Sequence, residues 1–230
     1  MNLIAKFQQT FIETGYYSLL LEGFKNTIII TLGALVIGVL IGTLIAVIKY
    51  FAEESKPLKP FAVICDFYVT AVRGIPVTVL LLLFYYLILA SSDNGIVVGI
   101  ITFGINSGAY MAELIRSGIN AVDRGQDEAG RSLGLSRIET MRHIIFPQAL
   151  RYILPAIGNE FIALLKETSV AGYVAVVDLT RAGNLIRNNT YDQSTPLIVV
   201  AAIYLIMVVL FTRLLAKLET KLAKGVKHNG

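Results

Sequence analysis

The chain has 230 residues, of which 55% are hydrophobic and only 16% are charged. Soluble domains carry roughly a quarter charged residues, so this composition excludes an ordinary soluble domain and indicates a membrane protein. The net charge of +4 is also compatible with a nucleic-acid-binding protein. The positions of the basic residues, described below, distinguish the two possibilities.

Five long apolar runs predict five membrane-spanning helices, since a helix needs about 20 apolar residues to cross a bilayer. The second run is too long for one straight crossing, and we expect Gly74 and Pro76 to bend it. The predicted fold is therefore an all-α, polytopic membrane helix bundle. We expect the crossings at residues 27–48, 61–90, 95–115, 153–177 and 196–211.

The basic residues predict the orientation of this bundle. Most of the 20 Lys and Arg residues fall after the first crossing, after the third crossing or behind the fifth. Because cytoplasmic loops are enriched in Lys and Arg, we expect the N-terminus outside and the C-terminus in the cytoplasm. The basic excess then reflects topology, and no nucleic-acid partner is expected. The expected parts are an external interfacial segment at 1–26, a transmembrane domain at 27–220 and a cytoplasmic tail at 221–230.

Residues that build catalytic or metal sites are sparse in this chain. Cys65 is the only cysteine, and His143 and His228 are not spaced as zinc ligands. No Gly-Lys pair occurs, so the chain lacks the phosphate-binding loop of the Walker A type. We therefore expect no enzyme activity, no metal and no cofactor in this chain. If the protein uses ATP, a partner subunit binds it.

Ionisable residues within the apolar runs indicate a polar pathway. Each costs about 2.5–3.5 kcal/mol at the bilayer centre, so such residues usually face a bundle interior or water. Glu160 and Glu167 are seven residues apart and share one helix face. Two carboxylates on one face are expected to lie near a cation. That cation is either a protein side chain, Lys166 or Arg73, or the positive end of a substrate, and both alternatives stay open. Asp66 is expected to meet water at the membrane surface.

Four segments of the sequence, taken in order, are similar to one family of transporters. Residues 68–76 end in Arg-Gly-Ile-Pro, and residues 105–113 read Ile-Asn-Ser-Gly-Ala-Tyr-Met-Ala-Glu. Residues 125–155 contain Glu-Ala-Gly-Arg-Ser-Leu-Gly, and residues 158–169 complete the set. Together they resemble the membrane subunit of a bacterial polar-amino-acid ABC importer, and the third segment resembles the EAA loop of that family.

The resemblance implies a permease subunit of an ATP-driven importer that moves polar amino acids across the bacterial cytoplasmic membrane. The implied partners are ABC ATPase subunits, which bind the ATP, and a second permease subunit, either identical or a sister chain. An external solute-binding protein would deliver the amino acid. The chain itself would be a non-catalytic, multi-pass membrane subunit.

The loop at about residues 116–152 is expected to hold a short helix through which the ATPase moves the membrane domain. Asp123 and Glu128 lie where such a helix would begin and Arg137 lies later, as the helix dipole favours. Gly130 replaces the second Ala of the family pattern, at an expected cost of about 1 kcal/mol in helix propensity. The alternative is a solvated loop without a partner. The ATPase-coupling residues implied by the resemblance are Gln126, Glu128, Ala129, Gly130, Leu133 and Gly134.

A site for an amino acid needs a carboxylate near the ammonium of the ligand and donors near its carboxylate. We expect Glu160 to accept the α-amino group or a basic side chain, so that together with Glu167 it favours cationic or neutral polar amino acids. The competing hypothesis is a self-sufficient carrier or channel that uses these charges as an ion relay. The lack of an evident inverted repeat argues against it. The expected substrate-binding residues are Arg73, Asn106, Glu160, Lys166, Glu167, Thr168 and Ser169.

Overall fold

The computed structural model describes residues 6–227 and the side chains of residues 6–220. The described residues form helices and the loops between them, with no strand among them, which confirms the all-α class. In chain order the α-helices of the described residues are α1 Tyr17–Ala52, α2 Lys59–Gly74, α3 Val77–Leu83, α4 Gly95–Asn120, α5 Arg124–Ser132, α6 Arg137–Thr140, α7 Phe146–Glu167, α8 Leu179–Thr190 and α9 Thr195–Lys227, and short 3₁₀- or π-helical segments adjoin several of them.

Three of these helices are long and apolar enough to cross a membrane, namely α1, α4 and the part of α9 that ends at Thr220. The segments Lys56–Gly74 and Val77–Ile88 meet the same criterion only together, as a broken pair. The expected fourth crossing overlaps α7, whose four charged side chains set it apart from an ordinary apolar span. The count of five crossings and the orientation of the termini therefore stay predictions.

The break between α2 and α3 confirms the expected bend in the second apolar run. The two helical segments meet at 105°. Ile75 has an extended backbone, with φ −101° and ψ 129°, because the ring of the following proline disfavours the helical conformation. A Cβ on Gly74 would meet nothing within 4 Å. Pro76 therefore accounts for the bend, and the structure does not require a glycine at position 74.

Helix α1 begins at Tyr17, well before the expected start of the first crossing at residue 27. The Asn26 side-chain amide donates to the carbonyl of Val177 at 2.9 Å, and the Thr27 hydroxyl accepts from the Leu179 N–H at 3.1 Å. Asn26 and Thr27 therefore contact the segment at the start of α8. The sequence had suggested that these polar residues lie at the edge of the membrane. Residues 1–5 and 228–230, at the two ends of the expected organisation, lie outside the described residues.

The centre of the bundle is the contact between α1 and α4, where small residues let two backbones approach closely. A Cβ on Gly104 would lie 2.7 Å from the Ile37 Cβ, and a Cβ on Gly108 would lie 2.8 Å from the Ile41 Cγ2. On its other side α4 packs against α7, and α7 packs against α9. One face of α4 is thereby held against the helix that carries the predicted acidic pair.

Candidate functional site

The polar loop between α4 and α7 contains the short helix that the sequence predicts. Asp123 precedes α5, and its carboxylate accepts from the Gly125 N–H at 2.7 Å, which satisfies one of the free donors at the helix start. The helix ends at Ser132, and Gly134 then has a positive φ of 85°. This is the left-handed conformation that commonly ends a helix and that glycine adopts at no steric cost.

A second short helix, α6, follows at once and is fixed at its start by reciprocal capping. The Ser136 hydroxyl accepts from the Glu139 N–H at 3.3 Å, and the Glu139 carboxylate accepts from the Ser136 N–H at 2.8 Å. Hydrogen bonds from the Ser136 side chain and backbone lower the pKa of the Glu139 carboxyl below its usual value. This capping fixes where the following residue, Arg137, begins its helix.

The predicted coupling residues divide into an exposed set and one buried position. Glu128 and Ala129 are exposed on α5, and the Leu133 side chain is 81% exposed. Gln126 is also exposed, and its side chain accepts from Gln148 at 3.2 Å.

Gly130 is buried against the next turn of the loop. A Cβ there would lie 2.8 Å from the Thr140 Cγ2 and 3.0 Å from the Ile144 Cδ1. The sequence suggested only a small loss of helix propensity at this position. The structure adds a packing reason for a small residue, because the loop folds onto Gly130.

A polar cluster joins α4 to α7 in the interior of the bundle. The Ser107 hydroxyl donates to the Glu160 carboxylate at 2.8 Å, and the Asn106 amide donates to the Glu167 carboxylate at 3.4 Å. Asn106 and Ser107 are buried, and the two glutamates are half-buried. The two carboxylates therefore face α4 together, as their spacing of two helical turns predicts.

Ser107 is the member of this cluster that sequence reasoning missed. A serine among glycines and alanines looks like part of a packing surface, and a Cβ on Gly38 would indeed lie 2.7 Å from the Ser107 Oγ. Its position next to Asn106 gave no signal, because consecutive residues on a helix point about 100° apart.

The cations proposed for this acidic pair do not bridge it. Lys166 is exposed, and within residues 6–220 it forms no ion pair with Glu160 or Glu167. Arg73 is also exposed, and its guanidinium lies over the Tyr110 ring at 5.1 Å from the ring centre. Neither cation therefore forms an ion pair with Glu160 or Glu167 in the described part of the chain.

The last two predicted substrate-binding residues, Thr168 and Ser169, lie directly after the end of α7. Thr168 is buried, and its hydroxyl donates to the Leu165 carbonyl at 3.0 Å, so this hydroxyl hydrogen is already used within the protein. Ser169 is half-buried in the 3₁₀-helical turn Thr168–Val174 that follows. No group of three or more His, Cys, Asp or Glu side chains in the described part of the chain could hold a metal ion.

A second set of charges joins helices α1, α2 and α4. The Lys49 ammonium on α1 lies 2.6 Å from the Asp66 carboxylate on α2 and 3.5 Å from the Glu113 carboxylate on α4. Arg116 also pairs with Glu113, at 2.8 Å. Asp66 was expected simply to meet water. It is exposed, as expected, and its carboxylate is also paired with Lys49.

Comparison with known proteins supplies a family for this arrangement. A family model described as "Binding-protein-dependent transport system inner membrane component" matches residues 38–224. The glutamine transport system permease protein GlnP of Escherichia coli is 34% identical over 208 residues, which cover 89% of this chain and 93% of that protein. The arginine transport system permease protein ArtQ of Bacillus subtilis is 32% identical over 206 residues, which cover 88% of this chain and 92% of that protein.

Among solved structures, a chain of the one described as "Crystal structure of an amino acid ABC transporter with histidines" is similar to this chain. The two chains align with a TM-score of 0.82 and 41% sequence identity. The alignment covers 91% of this chain and 96% of the solved one. The similarity to the solved chain therefore extends over most of this chain.

Proposed function

Because the chain belongs to the family of binding-protein-dependent transport system inner membrane components, we propose that it is the permease subunit of an ATP-driven importer of polar amino acids. The observation that carries this proposal is the 41% identity to an amino acid ABC transporter over 91% of the chain. The glutamine and arginine permeases among its relatives support polar amino acids as the substrate class. The protein resides in the bacterial inner membrane.

The importer is an assembly in which this chain hydrolyses no ATP itself. Separate ATPase subunits bind the nucleotide, a second permease subunit completes the pathway, and an external binding protein delivers the amino acid. An ATPase contact is supported by the exposed face of α5. Glu128 and Ala129 on the helix and Leu133 directly after it are exposed, so this face could bind in a groove of the ATPase. Buried Gly130 holds the opposite face against the rest of the loop.

The acidic pair on α7 supports a substrate pathway between α4 and α7. Glu160 and Glu167 are held by Ser107 and Asn106, which are neutral donors, so both carboxylates remain available for a cationic group. An amino acid that passes between these helices offers its ammonium to Glu160. Arg73, Lys166, and the backbone at Thr168 and Ser169 complete the proposed substrate contacts.

The proposed membrane arrangement counts α7 as a crossing, with its charged residues turned towards α4. The chain then crosses five times, with the N-terminus outside. We expect an impermeant thiol reagent added to intact cells to label a cysteine introduced at Asn188 but not at Ser136 or Lys224, after Cys65 is replaced by Ser. Asn188 and Ser136 are both exposed on the protein, so sidedness alone separates them. Labelling at Ser136 in unbroken cells would overturn this topology.

Co-purification tests the proposed function. The tagged protein, extracted from its native membrane in mild detergent, should bring an ATPase and a permease subunit with it and should hydrolyse ATP. A self-sufficient carrier or channel would be isolated without an ATPase. Isolation of the chain alone, under conditions in which it stays folded by size-exclusion chromatography, would contradict the importer proposal.

A further inference from the structure

The side chain of Arg137 joins the polar loop to the cytoplasmic end of α1. Its Nη2 donates to the Tyr50 carbonyl at 2.8 Å and to the Glu53 carboxylate at 3.1 Å. Its Nη1 lies 3.0 Å from the Glu54 carboxylate, and the guanidinium lies 4.3 Å above the centre of the Tyr50 ring. Only 15% of this side chain is exposed, although its carboxylate partners are largely exposed.

These contacts are specific to arginine for a physical reason. The last four carbonyls of a helix lack partners within it, and Arg137 supplies a donor and a positive charge to that end of α1. A guanidinium is planar and carries five N–H donors, so it can serve a carbonyl and two carboxylates while it stacks on a ring. A lysine ammonium keeps the charge but cannot make this combination of contacts.

The other short helix of the loop, α5, also contacts the glutamates that follow α1. Arg131, on α5, donates to the Glu54 carboxylate at 2.8 Å. The hydrogen bond from Arg131 contributes most to holding the pKa of the Glu54 carboxyl below its usual value. Glu53 and Glu54, directly after the end of α1, therefore hold both α5 and α6.

One turn earlier on α1, Lys49 binds Asp66 of α2 and Glu113 of α4. The final turn of α1 thus has the polar loop on one side and two membrane helices on the other. The contacts form a continuous series from the exposed face of α5 to the helix that carries Asn106 and Ser107. Such a packed and hydrogen-bonded series can transmit a displacement between sites.

We propose that Arg131 and Arg137, bound to Glu53 and Glu54, form a strap through which movement of the loop displaces the cytoplasmic end of α1. Lys49 passes this displacement to α2 and α4. The inference rests on the proposed function, because the ATPase supplies the movement of the loop. The four residues of the strap are positioning residues, since they touch neither substrate nor nucleotide. Their substitution should change how much uptake each ATP supports, more than it changes folding or ATPase binding.

The test compares Arg137→Lys with the parent in purified complexes that contain the ATPase, reconstituted in liposomes with the binding protein. The readout is the number of ATP molecules hydrolysed for each amino acid imported. We expect Arg137→Lys to keep the ATPase bound and to raise this ratio about fivefold, within the range of single-residue effects on coupling between sites. Arg142→Lys is the matched control, because Arg142 is exposed in the same loop. It should keep the parent ratio.

A charge exchange separates a strap from a simple loss of structure. We expect Arg131→Glu and Glu54→Arg each to raise the ratio and the double variant to bring it back towards the parent value. A parent-like ratio in Arg137→Lys, or a double variant worse than both single variants, would overturn the strap. Loss of the ATPase from the Arg137→Lys complex would also overturn it, by showing that the arginine serves docking alone. A parent protein that recruits no ATPase would instead overturn the proposed function, and the strap with it.

Discussion

Substitution of Gly134 by Asp, or of Glu128 by Lys, should leave the protein in the membrane but uncouple ATP hydrolysis from uptake. Gly134 has φ 85°, where a side chain strains the backbone, and the new carboxylate would stand beside the exposed Leu133. Glu128 is exposed on α5, so Lys reverses a charge on the face proposed to contact the ATPase. We expect uptake to fall at least about tenfold. A tenfold effect corresponds to a loss of about 1.4 kcal/mol in the binding free energy between the loop and the ATPase.

The measurement is uptake together with ATP hydrolysis stimulated by the loaded binding protein, in reconstituted liposomes. Gly15→Asp is a matched control, because Gly15 also has a positive φ, of 75°, and lies at the other end of α1. It introduces a similar backbone strain far from the loop and should keep hydrolysis and uptake linked. Normal stimulation and normal uptake in both loop variants would remove α5 from the mechanism.

The second large effect is expected at Glu160. Glu160→Gln keeps the size of the side chain and an oxygen that can accept from Ser107, but it removes the negative charge proposed to meet the ammonium. A hydrogen bond to a charged group contributes roughly 1.5–3 kcal/mol, so we expect uptake to fall by about tenfold or more. The loss should be largest for cationic amino acids.

The measurement is the initial rate of import of neutral and cationic amino acids with the cognate binding protein. Glu219→Gln makes the same chemical change at an exposed position on α9 and should have no effect. Ser107→Ala separates the hydrogen bond from the charge, since it leaves the carboxylate of Glu160 in place. An unchanged rate and an unchanged substrate preference in a stable Glu160→Gln protein would make Glu160 a packing residue.

Features that depend on local sequence could be predicted. The apolar runs indicated a helical membrane bundle, Pro76 indicated the break in the second run, and Gly134 indicated the turn after α5. The start of α1 could not be placed in this way. Asn26 contacts Val177, 151 residues away, so a polar residue that resembles a membrane boundary is satisfied by a distant segment.

The same distinction applies to the candidate sites. Glu160 and Glu167 could be placed on one face from their spacing alone. Asn106 was expected to meet the carboxylate of the substrate, and its contact with Glu167 was not foreseen. The role of Arg137 could not be seen, because its partner Tyr50 lies 87 residues earlier in the chain. In the sequence Arg137 is one basic residue among several, explained by topology and by the helix dipole. Gly130 was likewise judged by helix propensity, whereas its contact with Thr140 depends on how the loop folds.

The most direct test of the central claim is amino acid accumulation by the reconstituted assembly. Proteoliposomes would contain this permease with its co-purified subunits, the binding protein and a labelled polar amino acid. ATP would be supplied on the ATPase side, with a protonophore present to remove any proton gradient. Import by an ATP-driven permease requires hydrolysable ATP and continues without the gradient. Accumulation by the chain alone, driven by an imposed ion gradient and indifferent to ATP, would contradict the account.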